Sequence, residues 1–113
     1  MILVYTKNNL NTAVSLCLDN KRFRVIIACK SNDERNIIIG EIKEYVQEKP
    51  GVSRIIIGRD RFEIQFENGS LLKVILASSN SRGCKANLVL YSSWIDKEII
   101  DYVLYPMQAS YIP

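Results

Sequence analysis

Apolar positions change their spacing several times along this chain, and each change marks an element. Residues 2–5 (Ile-Leu-Val-Tyr) form a short apolar, β-branched run of the kind that makes a buried strand. Leu10, Val14, Cys17 and Leu18 then recur at i, i+4, i+7 and i+8, which predicts an amphipathic helix over 8–18. After a turn at Asn20-Lys21, residues 23–29 (FRVIIAC) run almost continuously apolar, as in a strand covered on both faces. Over 31–48 the period returns to that of a helix. Ser31 and Glu34 form a capping box, Ile38, Ile42, Tyr45 and Val46 line one stripe with Ile39 beside it, and Pro50-Gly51 ends it.

Beyond residue 50 the rhythm becomes that of a meander. Residues 54–57 (RIII) read as a strand and 58–60 as a turn, and Phe62, Ile64 and Phe66 alternate along a second strand. Asn68-Gly69 is a two-residue hairpin signal, and 71–77 return as a third strand. A four-residue apolar run, Leu88-Val89-Leu90-Tyr91, follows a polar loop. Ser93, with Asp96 three residues on, can cap a last helix over 95–105 that buries Ile95, Ile99, Val103 and Leu104. Pro106 is expected to stop that helix, leaving 106–113 as a tail or edge contact. Strands alternating with helices in the first half predict a mostly parallel central sheet flanked by helices. The antiparallel meander 54–77 is inserted before its last strand, all within a single α/β domain over 1–113.

Composition removes several chemistries. The chain has 113 residues, no His and three widely spaced cysteines, Cys17, Cys29 and Cys84, without a C-x-x-C pair. Zinc sites, Cys–His nucleophiles and Ser–His–Asp triads therefore lack their parts. Cys17 and Cys29 sit in apolar runs and read as small buried hydrophobes, which suits a reducing compartment. No apolar run approaches the ~18 residues of a membrane span, and the N-terminal run reads as a strand, so a cytoplasmic protein without membrane association is expected. A net charge of +3 permits nucleic acid or an acidic partner and requires neither.

The stretch 67–93, ENGSLLKVILASSNSRGCKANLVLYSS, resembles the segment leading into Walker B in the ATPase domain of phage terminase large subunits. An Asn-Gly-Ser turn, a strand, a polar loop with Arg82-Gly83 and four apolar residues follow in that family's order. The element order of the whole chain is similar to the first half of such a P-loop ATPase. The resemblance implies a P-loop-ATPase-like scaffold, and on that scaffold the chemistry is missing. A phosphate cradle needs G-x-x-x-x-G-K-[ST], with glycine amides around the phosphates, Lys on their charge and a hydroxyl on magnesium. The first glycine here is Gly40, and in the best register Tyr5, Leu10, Asn11 and Thr12 stand where Gly, Gly, Lys and Ser/Thr belong. Ser92-Ser93 stands where the family has its acidic pair, which holds magnesium and the attacking water. The resemblance thus implies a catalytically silent protein with no nucleotide or other cofactor, of phage or prophage origin and located in the host cell. Such a protein acts by binding a protein partner, and an anti-CRISPR-like inhibitor of host defence is one concrete form.

Two other functions stay open. Arg82 and Lys85 lie in the glycine-containing loop, and Arg59 and Arg61, with Arg54, surround the Gly58 turn. Arginine's planar fork suits phosphate and carboxylate, so these residues are candidates for the backbone contacts of a nucleic-acid-binding accessory of packaging or replication. Equally they are the solvated loops of an ordinary surface. A fragment of a nucleotide-dependent packaging ATPase is the third reading. Trp94, with Tyr102, Tyr105 and Tyr111, is the candidate anchor for a protein partner or for self-association. The carboxylates of the second helix, Asp33, Glu34, Glu41, Glu44 and Glu48, read as an exposed face.

Overall fold

The computed structural model describes residues 1–47, 49–59, 61–78 and 85–109. Its elements follow in the order β1 (Ile2–Val4), α1 (Lys7–Asp19), β2 (Arg24–Cys29), α2 (Asn32–Val46), β3 (Val52–Ile57), β4 (Phe62–Phe66), β5 (Leu71–Leu76) and β6 (Leu88–Tyr91). A helical segment then runs from α3 (Lys97–Ile99) through a π-helical stretch (Ile100–Leu104) into α4 (Tyr105–Ala109).

The six strands form one sheet in the order β1-β6-β2-β5-β4-β3. The pairings β1–β6, β6–β2 and β2–β5 are parallel, while β5–β4 and β4–β3 are antiparallel. The sheet is therefore mixed, with the antiparallel meander at one side, and β3 begins two residues earlier than the sequence suggested, at Val52. β6 slots between β1 and β2, so the two most apolar runs of the chain lie side by side. Alternation along them splits the interior. Val25, Ile27, Cys29, Leu88 and Leu90 face α1 and α2 together with Phe62, Ile64, Phe66, Leu72 and Val74. Ile26, Ala28 and Val89 face the C-terminal helical segment and meet Ile95, Val103, Leu104 and Met107. The protein is thus α/β, a six-stranded mixed sheet with helices on both faces.

Helix starts follow the sequence closely. Ser31 Oγ accepts from Glu34 N (3.2 Å), while Glu34 Oε1 reaches back to Lys30 N (2.8 Å), one residue before the cap. α1 is capped by Thr6, whose hydroxyl accepts from Asn9 N at 3.0 Å. The other end of α1 is closed by the Asn68-Gly69-Ser70 turn. Asn68 Nδ2 donates to the carbonyls of Cys17, Leu18 and Asn20, and Ser70 Oγ donates to that of Asn20. Gly69 takes φ +88°, a conformation that favours glycine, and Gly51 takes φ +94° with Leu18 directly above it.

The C-terminal segment departs from expectation. Asp96, not Ser93, occupies the N-cap of α3, and its side chain makes no capping bond. Pro106 does not stop the helix. It lacks the N–H that Tyr102's carbonyl would accept, and the turn before it widens so that Tyr105 N–H bonds Ile100 O. The helix passes through, and Met107 is buried in the second core instead of lying in a tail. Residues 110–113 lie outside the described residues.

Cys17 and Cys29 are fully buried, and burial pushes both thiols up to about 12. Both should resist iodoacetamide at pH 8 in the native protein and react only as fast as the chain opens. Peptide mapping after timed labelling checks this, and rapid native modification of either would contradict it. Because the folded values exceed the unfolded one of ~8.5, the contribution of both thiols is complete below that pH and fades between ~8.5 and ~12.

Candidate functional site

Connections leave the sheet in opposite directions at the carboxyl ends of β1, β2 and β6. The chain passes from β1 into α1 and from β2 into α2 on one face, and from β6 into the C-terminal segment on the other. A divergence of this kind opens the crevice in which open α/β sheets hold their ligands. Here it is a groove of about 280 Å³ lined by Tyr5, Glu34, Ile37, Ile38, Glu41, Ser92, Ser93 and Trp94.

Each wall has a local cause. Tyr5 continues β1, its N–H bonded to Tyr91 O at 2.7 Å, which places its ring beside the end of β6. Its hydroxyl is buried and among the described residues has no hydrogen-bond partner of good geometry, and burial first, then the nearby Glu41 carboxylate, push its pKa upward. Ser92 is buried and works as a clamp. Its hydroxyl donates to Glu34 Oε2 at 2.6 Å and accepts from Trp94 N at 3.1 Å. Since Glu34 also holds Lys30 N, a chain of bonds ties the loop after β6 to the first turn of α2. That loop carries Trp94 with 72% of its surface exposed, and across the groove Ile37 is 65% exposed. Glu41 also lines a neighbouring groove of about 420 Å³ with Lys7, Asn8, Leu10, Asn11, Glu44 and Tyr45.

The chemistry of the first groove follows from its lining. Glu34 and Glu41 supply negative charge, and among the described residues no basic side chain lines it. A triphosphate entering there would meet like charge and the Tyr5 ring. A cationic group would meet two carboxylates, while its aliphatic stem could lie on Trp94 and Ile37.

The structure brings together Tyr5, Ser92, Ser93 and Trp94. Leu10 is buried in the first core, Asn11 accepts from the Tyr45 hydroxyl, and the Thr12 hydroxyl donates to Asn8 O at 3.2 Å within α1. Those three positions are occupied by packing and local bonds. The basic candidates do not converge. Arg59 and Arg61 follow β3, whose end lies on the carboxyl side of the sheet. Lys85 precedes β6 by a few residues, on the opposite side, where Asn87 N–H bonds Arg24 O. Arg61 is already engaged, its Nε and Nη2 donating to Glu63 at 3.0 and 3.1 Å, and this bond first of all holds the Glu63 carboxyl below the usual range. Arg82 lies outside the described residues.

Sequence reading overlooked Glu34, Ile37 and Glu41 by assigning the carboxylates of α2 to a plain exposed face. A signal was present in Ile37-Ile38-Ile39, because three consecutive apolar residues cannot all face one core. Glu34 was recognised only as half of a cap.

Among the described residues no helix is long and apolar enough to cross a membrane, and no cluster of His, Cys, Asp and Glu could hold a metal ion. The fold and the groove define a three-layer α/β protein with an acidic crevice at its strand ends. Compared with protein-family models, with curated proteins and with solved structures, the chain matches none.

Proposed function

We propose that this chain is a catalytically silent relative of the terminase-type ATPase scaffold that works by binding a protein partner in the groove between β1, α2 and β6. The observation that carries the reading is the lining itself: two carboxylates, an exposed tryptophan and an exposed isoleucine at the crevice of the sheet. The resemblance is supported by the parallel pairing of β1 with β6, which sets the loop that would be the phosphate cradle beside the loop that would carry the acidic pair. Tyr5 and the Ser92 clamp fill those two places, so the proposal assigns the protein no NTPase activity and no cofactor. The partner segment presents lysine or arginine next to an apolar residue. Phage or prophage origin, action in the cytoplasm of the host cell and inhibition of a host defence system belong to the same proposal.

The test is site-specific photo-cross-linking. A benzophenone side chain at Ile37 should give a covalent adduct with one host protein, and Glu41→Arg should reduce its yield at least tenfold, a loss of about 1.4 kcal/mol. In parallel, emission from Trp94, the sole tryptophan, should not respond to millimolar ATP with magnesium. Adducts with nucleic acid alone, with retention falling steeply as salt rises, would replace the reading with the packaging or replication accessory. A magnesium-dependent change in Trp94 emission on adding ATP would replace it with the fragment of a packaging ATPase.

A further inference from the structure

The far edge of the sheet carries its own recognition features, independent of the groove. Among the described residues β3 pairs only with β4, so one side of its backbone faces outward. Which groups face outward follows from register. Gly58 N–H bonds Arg61 O at 2.7 Å, and Ile56 and Arg54 lie opposite Glu63 and Gln65. Hydrogen-bonded pairs alternate along an antiparallel ladder, so Ile56 and Arg54 spend their backbone groups on β4. The N–H and C=O of Ile55 and Ile57 therefore point away from the sheet. The two residues are 39% and 60% exposed, and their side chains lie on the face shared with Phe62 and Ile64. Solitary edges are normally blunted by proline, by lysine or by a cover. Here the irregularity in pairing falls between Val52 and Arg54, before the isoleucines, and leaves 54–57 regular.

Charge selects the occupant. Arg54 and Arg59 are exposed at the two ends of the isoleucine run, and among the described residues neither is ion-paired, whereas Arg61 is neutralised by Glu63. A second copy of the chain in antiparallel register would bring both arginines of each copy into one patch. An extended segment with acidic ends would pair with them.

We propose that β3 is a docking edge for an extended partner segment that adds as an antiparallel strand. Its pattern is acidic–x–apolar–x–apolar–acidic. The apolar residues lie beside Ile57 and Ile55, and the acidic ones opposite Arg59 and Arg54. Backbone bonds to Ile55 and Ile57 supply register, and the arginines supply selectivity.

The probe is a fluorescein-labelled, end-capped peptide Glu-Thr-Val-Thr-Val-Glu, with a lysine-ended counterpart, followed by anisotropy on the full chain. Saturable binding of the acidic peptide, at least tenfold tighter than the lysine-ended one, is expected. The double variant Arg54→Glu/Arg59→Glu, altering exposed side chains only, should invert the preference. Ile57→Pro, which removes an outward N–H that the ladder does not use, should abolish binding. If that variant fails to fold, the charge inversion alone decides. No binding at millimolar protein, equal binding of both peptides, or dimerisation in solution that Ile57→Glu abolishes would each overturn the proposal, the last by giving the edge to a second copy.

Discussion

Replacing Asn68 with alanine should lower folding stability by about 3 kcal/mol, more than most surface substitutions, although this side chain is only half-buried. An α-helix leaves its last carbonyls without intrahelical donors. In α1 these are met from outside: Asn68 Nδ2 lies 2.8 Å from Cys17 O, 3.3 Å from Leu18 O and 3.0 Å from Asn20 O. The same side chain accepts from Ser70 N at 3.0 Å, which holds Ser70 where its hydroxyl can bond Asn20 O at 2.6 Å and accept from Phe23 N at 3.0 Å. One residue thus joins the end of α1, the start of β2 and the turn before β5. Alanine would strand at least two partly buried polar groups, each costing about 1–3 kcal/mol, and water can reach only some of them. The melting temperature should fall by about 10–15 °C. Asn68→Asp should be no better, because it keeps the acceptor but turns negative charge towards carbonyl oxygens. A melting temperature within about 2 °C of wild type would show that the clamp carries no stability.

That turn shows how far the sequence can be read. Asn68-Gly69 announced a hairpin through local chemistry, since the positive φ at Gly69 and the short connection are properties of the turn itself. Its longer-range work, closing a helix some fifty residues earlier, leaves no local pattern. The same division runs through the fold. Alternation placed Phe62, Ile64 and Phe66 on one buried face, and the helical stripe placed Ile38, Ile42 and Val46. The insertion of β6 between β1 and β2 depends on pairing across the whole chain, and no local pattern announces it. Pro106 failed as a stop because the sequence rule assumes a regular α-turn before it, and a π-turn takes up the missing bond. In the groove, Trp94 and Tyr5 were singled out from the sequence, and both line it. Glu34 was not, because its role is decided by Ser92, a partner on another element.

Ser92→Asp should cost about 3 kcal/mol at pH 7, and most of that loss should disappear on acidification. Ser92 is 4% exposed, and its hydroxyl donates to Glu34 Oε2 at 2.6 Å. Aspartate would remove the donated proton and set a second carboxylate against Glu34 in a partly buried site. Like charges at that spacing favour sharing one proton, so the folded pair binds it at a pH where the unfolded chain has already released it. The folded pKa is then raised, and the sign follows: the penalty is absent below the unfolded carboxylate range near ~4 and complete above the folded value. Denaturation midpoints at pH 4.5 and pH 7 separate this from a packing defect. Ser92→Ala should lose about 1–2 kcal/mol at both pH values, and Ser92→Thr should stay closer to wild type if the added methyl fits. Wild-type stability of Ser92→Asp at pH 7 would mean that the clamp tolerates an acid. The result bears on more than stability: if Glu34 opposes an acid at position 92, introducing one there requires a change in α2 as well as in the loop after β6, and the two walls of the groove act as a unit.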